Sequence, residues 1–171
     1  MHIDKIEMNK KGFTILEMLI TITIIGIISA MAYPSFSRMV SNYRLRSGAW
    51  ELVTDINKTK IEAIRRNAFV SFNFNTANNT YIIFVEDKFN RNWILDAGET
   101  QLKSFRLGSY GISYNGVPTF PVNANNIPSF GFDPRGMPRA NGLDTGTVSL
   151  KNSIGTTFNI VMSRGGKVSV Q

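Results

Sequence analysis

Residues 13–33 form an almost uninterrupted apolar run, and this run constrains the fold more than any other feature of the chain. As a helix, the run would be about 31 Å long, which matches the hydrocarbon thickness of a bilayer. One carboxylate, Glu17, interrupts it. Because an ionised carboxylate near the middle of a bilayer costs roughly 2.5 to 3.5 kcal/mol, we expect Glu17 to have a partner or a task.

Three interpretations of this run are open. The first is a membrane-spanning helix with a cytoplasmic N-terminus, since Lys10 and Lys11 lie directly before the apolar residues. The second is a secretory signal peptide, which the small residues Ala30 and Ala32 favour, although the run exceeds the roughly 7 to 15 residues of such a peptide. The third is a plain membrane anchor. Neither a signal peptide nor a plain anchor explains Glu17.

The residues at the start of the run carry a specific pattern. A short basic segment ends in Gly12, Phe13 follows, and Glu17 is the fifth residue counted from Phe13. Pro34 is the twenty-second residue on the same count. This pattern resembles the N-terminal signal of type IV pilins and pseudopilins.

The resemblance implies how the N-terminus is processed. A prepilin peptidase of the membrane would cut between Gly12 and Phe13, and Phe13 would then be N-methylated. Glu17 would meet the new amine of a neighbouring subunit, so that its partner arrives only on assembly. The other implied partners are further pilin or pseudopilin subunits, an inner-membrane assembly platform and membrane lipid. The implied location is the inner membrane, with a single pass, a cytoplasmic N-terminus and a periplasmic globular domain.

An apolar pattern at three- and four-residue spacing continues beyond Pro34 and predicts a helix that ends near residue 66. Its members are Phe36, Met39, Val40, Tyr43, Ala49, Leu52, Val53, Ile56 and Ala63. The predicted solvent side carries Lys58, Lys60, Glu62, Arg65 and Arg66. Gly26 and Pro34 are expected to mark a kink, a melted segment or a plain irregularity of this helix.

After residue 67 the apolar pattern changes to a period of two, which predicts strands. The predicted strands are residues 69–74, 80–85, 102–107, 146–150, 156–162 and 167–170. Residues 108–142 are rich in Gly, Pro and Asn and are expected to be mostly loop or short strand. The predicted fold class is α+β, with a long N-terminal α-helix, transmembrane in its first half, packed on antiparallel β-sheet.

The same patterns divide the chain into four expected segments. They are a cytoplasmic leader (1–12), a transmembrane half-helix (13–33), an amphipathic periplasmic half-helix (34–67) and a β-rich globular domain (68–171). About 137 residues follow Pro34, which is enough for a single hydrophobic core.

Three motifs in the second half resemble the GspH/FimT group of minor pseudopilins. They are DAGE at 96–99, FDPRG at 132–136 and VMSRGGKV at 161–168. This resemblance implies a minor subunit at or near the tip of a type II secretion pseudopilus or a type IV pilus, which supports protein secretion or pilus assembly.

Binding of DNA for uptake is the alternative function. Some members of the FimT branch bind DNA through a Gly-Arg-x-Arg motif, and the corresponding stretch here is GKVS at 166–169. The formal net charge of +7 allows such an acidic partner without requiring one. The candidate phosphate contacts are Arg135, Arg139, Arg164 and Lys167.

The composition argues against an enzyme and against a resident cofactor. The chain has no cysteine, and its one histidine, His2, lies in the expected leader. The mature chain would therefore lack Ser/His and Cys/His nucleophiles and any His-ligated metal site. Glu86 and Asp87 are adjacent, so they point to opposite faces of a strand and make no acid–base pair.

One loop contains several hard oxygen ligands. They are Asp87, Asn90, Asn92, Asp96 and Glu99. These residues miss the spacing of an EF-hand and its dense carboxylates, so a solvated connection is expected here and no metal site.

Overall fold

The structure is a computed structural model that describes residues 12–88, 90–140 and 145–171. The expected leader therefore lies outside the described residues, apart from Gly12. The chain forms two compact units, Met1–Arg38 and Met39–Gln171. The predicted α+β class is confirmed, because one long helix precedes antiparallel sheets.

One long helix is followed by nine strands in the described part of the chain. They are α1 (Ile15–Arg66), β1 (Val70–Asn75), β2 (Thr80–Val85), β3 (Thr100–Arg106), β4 (Ile112–Tyr114), β5 (Ser129–Phe132), β6 (Pro138–Arg139), β7 (Gly146–Asn152), β8 (Thr157–Met162) and β9 (Val168–Val170). The six predicted strands correspond to β1, β2, β3, β7, β8 and β9, with small differences at their ends. The expected loop region contains the short strands β4, β5 and β6.

The C-terminus of α1 is closed by its own backbone. The Asn67 N–H donates to the Ile64 carbonyl and the Ala68 N–H donates to the Ala63 carbonyl. Asn67 has a positive φ of 50°. This is a Schellman motif, in which asparagine takes the left-handed position that more often holds glycine. The helix therefore ends where the period-two pattern of the sheet begins.

Part of the predicted apolar stripe on α1 is exposed. Burial begins at Leu45 and continues to Ala63, whereas Phe36, Met39 and Tyr43 lie in solvent. The predicted stripe combined two different faces of the helix. Ala49 is six positions after Tyr43, and this step rotates the side-chain direction by about 240° beyond one full turn. The members on either side of that step therefore do not form one stripe.

The strands form two antiparallel sheets. The order of the first is β3-β2-β1-β5-β6, and that of the second is β4-β7-β8-β9. The predicted hairpin of β1 and β2 is confirmed, with Val70 opposite Val85 and Asn75 opposite Thr80.

Aromatic side chains fill the core of the second unit. The rings of Phe72, Phe74 and Phe130 pack within 6 Å of one another, and Tyr81 stacks on Phe72 at 4.9 Å between ring centroids. Phe120 extends the stack, 4.6 Å from Phe130. Each such aromatic pair contributes about 0.5 to 1.5 kcal/mol to stability beyond the burial of its apolar area, so this stack stabilises the first sheet.

The second sheet packs on the same helix at a glycine. A Cβ atom at Gly48 would lie 2.3 Å from Ile112 Cδ1, so a larger residue would force the Ile112 side chain to move. Six residues earlier, Asn42 Oδ1 accepts hydrogen bonds from Asn152 Nδ2 (2.9 Å) and Thr156 Oγ1 (3.0 Å). These contacts fix the turn between β7 and β8 on the helix.

Candidate assembly site

Thr14 caps the N-terminus of α1. Its hydroxyl accepts a hydrogen bond from the Glu17 N–H (3.1 Å), and its carbonyl accepts one from the Met18 N–H (3.2 Å). Thr14 and Glu17 have the spacing of a capping box, whose glutamate is three residues after the cap. Glu17 lies in the first turn and is exposed, where the helix dipole favours negative charge.

The following turns present apolar side chains outward. Phe13 is 77% exposed, and the large apolar residues from Ile15 to Met31 are all more than half exposed. The hydroxyls of Thr21 and Thr23 donate to the carbonyls of Glu17 and Leu19, both at 2.7 Å, so their donors are satisfied within the helix. Among the described residues, α1 is the one helix long and apolar enough to cross a membrane.

Gly26 and Pro34 both lie inside α1, and the helical conformation continues through both residues, although Pro34 has no N–H to donate within the helix. Both are exposed, and no side chain contacts the position of a Cβ at Gly26. Neither residue is melted in this structure. A role as a kink during assembly stays a prediction.

A second apolar surface lies on the part of α1 that belongs to the second unit. We call it the outer stripe, and it consists of Met39, Tyr43, Trp50, Ile61 and Ile64, each more than half exposed. At 100° per residue these five positions fall within an arc of about 60°. The centre of that arc lies about 130° around the helix from the face that carries Leu45, Leu52 and Ile56 into the core. Aligned exposed apolar residues on a helix mark an interaction surface rather than a scatter of single residues.

A buried carboxylate on α1 ties the helix to the first sheet. Asp55 is 1% exposed, and its Oδ2 accepts from the Tyr81 hydroxyl and pairs with Lys103 Nζ, both at 2.5 Å. Lys103 Nζ also pairs with Glu51 at 2.7 Å. Burial acts to lower the pKa of Lys103, but the hydrogen bonds to Asp55 and Glu51 raise it overall, so the lysine stays charged. Burial, and then the Asp55 carboxylate, raise the pKa of Tyr81.

The loop between β2 and β3 uses its polar side chains internally. Asp96 Oδ2 accepts from the side-chain amides of Asn90 (2.9 Å) and Asn92 (2.8 Å). Glu99 accepts from the N–H groups of Asp87 and Asp96, both at 2.9 Å. Within residues 12–88, 90–140 and 145–171, no group of three or more Asp, Glu, His or Cys is placed to hold a metal ion.

Glu86, at the start of this loop, is a buried carboxyl. Its Oε1 accepts from the Ser71 hydroxyl at 2.6 Å, whereas Oε2 is buried without a hydrogen-bond partner among the described residues. Burial raises the pKa of Glu86 to about 7, with a contribution from the nearby Glu99 carboxylate, and the Ser71 hydrogen bond partly opposes the rise. A neutral Glu86 therefore fits this site better than an ionised one.

Two of the four predicted phosphate contacts belong to one turn. Arg135 Nη2 and Arg139 Nη2 pair with Asp133 Oδ2 at 3.0 and 3.3 Å. Burial acts to raise the pKa of Asp133, but N–H groups of Met137 and Arg135 and the Arg135 side chain hold it below its ordinary value. The carboxylate thus organises the turn and offsets part of its positive charge.

The other two candidate residues lie on a neighbouring turn. Arg164 and Lys167 are exposed on either side of Gly166. A Cβ atom at Gly166 would lie 3.7 Å from Lys60 Nζ, and one at Gly136 would lie 3.2 Å from Lys60 Cε. The turn that contains Gly136 and the turn that contains Gly166 therefore meet at Lys60. We call Lys60, Arg135, Arg139, Arg164 and Lys167 the distal basic cluster.

Sequence reasoning missed three buried carboxylates, those of Asp55, Glu86 and Asp133. A signal exists for the first, because Asp55 is three residues after Leu52 and four before Thr59, both on the buried face of α1. The third lies in the FDPRG motif, whose Asp-Pro-x-Gly order is typical of a turn stabilised by the aspartate side chain.

A long N-terminal helix with an outward apolar surface, followed by antiparallel sheets, is the architecture of a pilin-like, membrane-anchored protein. A model of the prokaryotic N-terminal methylation motif matches residues 8–33, and the model of the type II transport protein GspH matches residues 49–166. The chain belongs to this GspH family of pilin-like minor pseudopilins. It is a structural subunit of a pilus or pseudopilus and assembles with other pilin subunits.

Two individual proteins are similar to this chain. The pilin-like protein PilA1 of Thermus thermophilus is 31% identical over 165 residues, which cover 96% of this chain and 100% of the relative. The minor pseudopilin EpsH from the type 2 secretion system of Vibrio cholerae has a TM-score of 0.49 at 11% identity. That likeness covers 75% of this chain and 96% of EpsH.

Proposed function

We propose that the chain is a low-abundance subunit at or near the tip of a type II secretion pseudopilus or a type IV pilus. It supports protein secretion or pilus assembly from the inner membrane. The observation that carries this proposal is the outer stripe, a helical surface of five apolar side chains that are each more than half exposed.

The N-terminal residues of the proposed subunit are processed before assembly. Residues 1–12 are a cytoplasmic leader, and prepilin peptidase cuts between Gly12 and Phe13, after which Phe13 is N-methylated. Residues 13–33 cross the membrane once, residues 34–67 continue the helix into the periplasm, and residues 68–171 form the periplasmic domain. The match of residues 8–33 to the methylation motif supports this order of events.

Glu17 has an assembly role in this proposal. In the bilayer its carboxylate costs roughly 2.5 to 3.5 kcal/mol if ionised. In the filament, the new amine of Phe13 on a neighbouring subunit supplies the missing charge. Exposure of Glu17 in the first turn of α1 supports this pairing, since no side chain of the described residues covers it. The inner-membrane assembly platform would bring the two subunits together.

A photo-crosslinking experiment tests the proposed assembly through the outer stripe. Benzoylphenylalanine at Trp50, in the full chain in cells, should give adducts with another pilin subunit after irradiation. The matched control carries the same residue at Lys151, which is exposed on β7 and is not a member of the stripe. Mass spectrometry of sheared filaments should also find the chain far below the major subunit in amount.

Two results would contradict the proposed function. Equal adducts from positions 50 and 151 would mean that the stripe is not a specific interface. A chain as abundant in sheared filaments as the major subunit would contradict a position restricted to the tip.

DNA binding is the second candidate function, and the specific observation in its favour is the distal basic cluster. The turns that contain Gly136 and Gly166 meet at Lys60, and the four candidate cations lie on or next to these two turns. Asp133 neutralises part of that charge, and Ser169 occupies a position where the DNA-binding branch has arginine. We therefore place this function second.

A further inference from the structure

A groove runs between α1 and the edge of the first sheet. It has a volume of about 360 Å³, at the lower end of the roughly 300 to 1,000 Å³ of ligand pockets. Apolar side chains from three elements line it, namely Ile61 of α1, Ile83 of β2 and Leu102 of β3. All of these residues belong to the second compact unit.

A β-bulge shapes the floor of the groove. The register of β2 and β3 shifts by one residue between Ile83 and Phe84, because Ile83 is opposite Lys103 whereas Phe84 is opposite Gln101. Leu102 is the extra residue. Side chains of a regular strand alternate between its faces, but the shift allows Leu102 and Lys103 both to line the groove. Bulges commonly re-aim a side chain in this way beside functional sites.

The charges of the groove leave a positive surface. Its lining includes four cations, Lys58, Arg65, Arg66 and Lys103, and two carboxylates, Asp55 and Glu62. Both carboxylates already have partners, since Asp55 pairs with Lys103 and Glu62 pairs with Arg65 (2.7 Å) and Arg66 (2.8 Å). Lys58 is exposed and has no acidic partner among the described residues. Four cations against two carboxylates leave the lining with a net positive charge, and Lys58 is its unpaired cation, so an anionic group that enters the groove would meet a net positive surface.

The rim of the groove also offers backbone hydrogen bonds. β3 is the last strand of the five-stranded sheet, and β2 is its one strand neighbour among the described residues. An edge strand presents unpaired N–H and C=O groups that accept a further strand. An extended peptide that adds to such an edge gains affinity from its main chain and specificity from alternate side chains.

We propose that this groove binds an extended acidic segment of another protein, which adds to β3 as a sixth strand. Aliphatic side chains of the segment rest on Ile61, Ile83 and Leu102, and its carboxylates pair with Lys58 and Arg65. The site goes beyond filament assembly, because it recognises a peptide of stated chemistry and not the apolar helix of a neighbouring subunit.

A peptide-binding experiment on the full chain in dodecylmaltoside micelles tests this inference. The probe is a fluorescein-labelled hexapeptide of alternating glutamate and valine, and the control peptide has lysine in place of glutamate. Fluorescence anisotropy should rise with the acidic peptide alone. The double variant Lys58→Glu with Arg65→Glu should bind it at least tenfold more weakly. The matched control, Lys151→Glu with Arg44→Glu, makes the same change in net charge at two exposed residues outside the groove lining and should bind as the parent chain does.

Hydrogen exchange provides the second readout. The acidic peptide should slow amide exchange in Thr100–Arg106, as expected for strand addition, and not in Val168–Val170 at the edge of the other sheet. Equal binding of both peptides, equal loss in both double variants, or binding without protection of β3 would each overturn the proposal. Protection of β3 that depends on protein concentration without peptide would assign the edge to a second copy of the chain and would also overturn it.

Discussion

The Tyr81 hydroxyl donates a hydrogen bond of 2.5 Å to Oδ2 of Asp55, and the two residues join the buried face of α1 to β2. Lys103 of β3 reaches the same oxygen from the edge of the sheet. Three secondary-structure elements therefore meet at one carboxylate. Because a buried charge is costly unless it is paired and hydrogen-bonded, the geometry of this contact fixes how the helix lies on the first sheet.

Removal of the Tyr81 hydroxyl should destabilise the second unit. The variant Tyr81→Phe leaves Asp55 with Lys103 as its one partner, and loss of a buried hydrogen bond to a charged group costs roughly 1 to 3 kcal/mol. The expected result is a lower unfolding midpoint of the full chain in micelles, followed by tryptophan fluorescence. Tyr43→Phe is the matched control, because Tyr43 is 72% exposed and its hydroxyl should contribute nothing measurable. Equal midpoints for the two variants would contradict this role.

Glu86 should make the stability of the second unit depend on pH. Its folded-state pKa of about 7 lies above the ordinary value of 4.5, so the folded chain retains a proton that the unfolded chain loses. The stabilisation is complete below about pH 4.5 and is lost as the pH rises through about 7. Unfolding midpoints of the parent chain should therefore fall over this window.

The variant Glu86→Gln should remove most of that fall and should be more stable than the parent chain at pH 8. The amide keeps an oxygen for the Ser71 hydroxyl but cannot ionise. Glu62→Gln is a suitable control, since the hydrogen bonds from Arg65 and Arg66 lower the pKa of Glu62 and its titration lies outside the window. A parent chain with no fall between pH 4.5 and 7 would refute the assigned protonation.

The change Glu17→Leu should separate processing from assembly. It removes a charge that is costly in lipid, so insertion and cleavage should be unaffected, and the mature peptide should begin at Phe13 by mass spectrometry. Incorporation into filaments should fall severely, because the amine of the neighbouring subunit loses its counter-charge. Met18→Leu is the adjacent control. Normal incorporation of Glu17→Leu would remove the assembly role, and a mature start at Tyr33 would favour a secretory signal peptide.

DNA binding by the distal basic cluster should be weak and insensitive to sequence. Each phosphate contact would lower the logarithm of the affinity by about 0.9 per tenfold increase in salt. Arg164→Ala with Lys167→Ala would flatten that slope by roughly two if both residues contact phosphate. We expect little change, because Ser169 stands where the DNA-binding branch has arginine. Submicromolar binding at physiological salt that the pair abolishes would establish the second candidate function.

The sequence predicts the fold class and most strands because their signals are local. The period-two pattern marks β1 and β2, and the apolar run marks the start of α1. β5 and β6 have no such pattern, because Phe130 and Phe132 lie in a stretch rich in Gly and Pro. These residues form strands because β5 pairs with β1, and β6 pairs in turn with β5.

The candidate sites were predicted unevenly for the same reason. The two distal loops meet at Lys60, which precedes Gly136 and Gly166 by many tens of residues in the sequence, and no local pattern encodes those contacts. Likewise, the acidic partners of Lys103 lie on α1, so the sequence around β3 gives no indication of a buried ion pair. The N-terminal motif can be recognised from consecutive residues, whereas the tertiary fold determines which charged side chains are paired and which are exposed.

The cap at Thr14 has a consequence for proteolysis. In the described part of the chain, the first hydrogen bonds of α1 end on the hydroxyl and carbonyl of Thr14, one residue after Phe13. The peptide bond between Gly12 and Phe13 therefore precedes the hydrogen-bonded ladder of the helix. Its hydrolysis would break no helical hydrogen bond, so a leader could be removed from a fully formed membrane helix without any local unfolding.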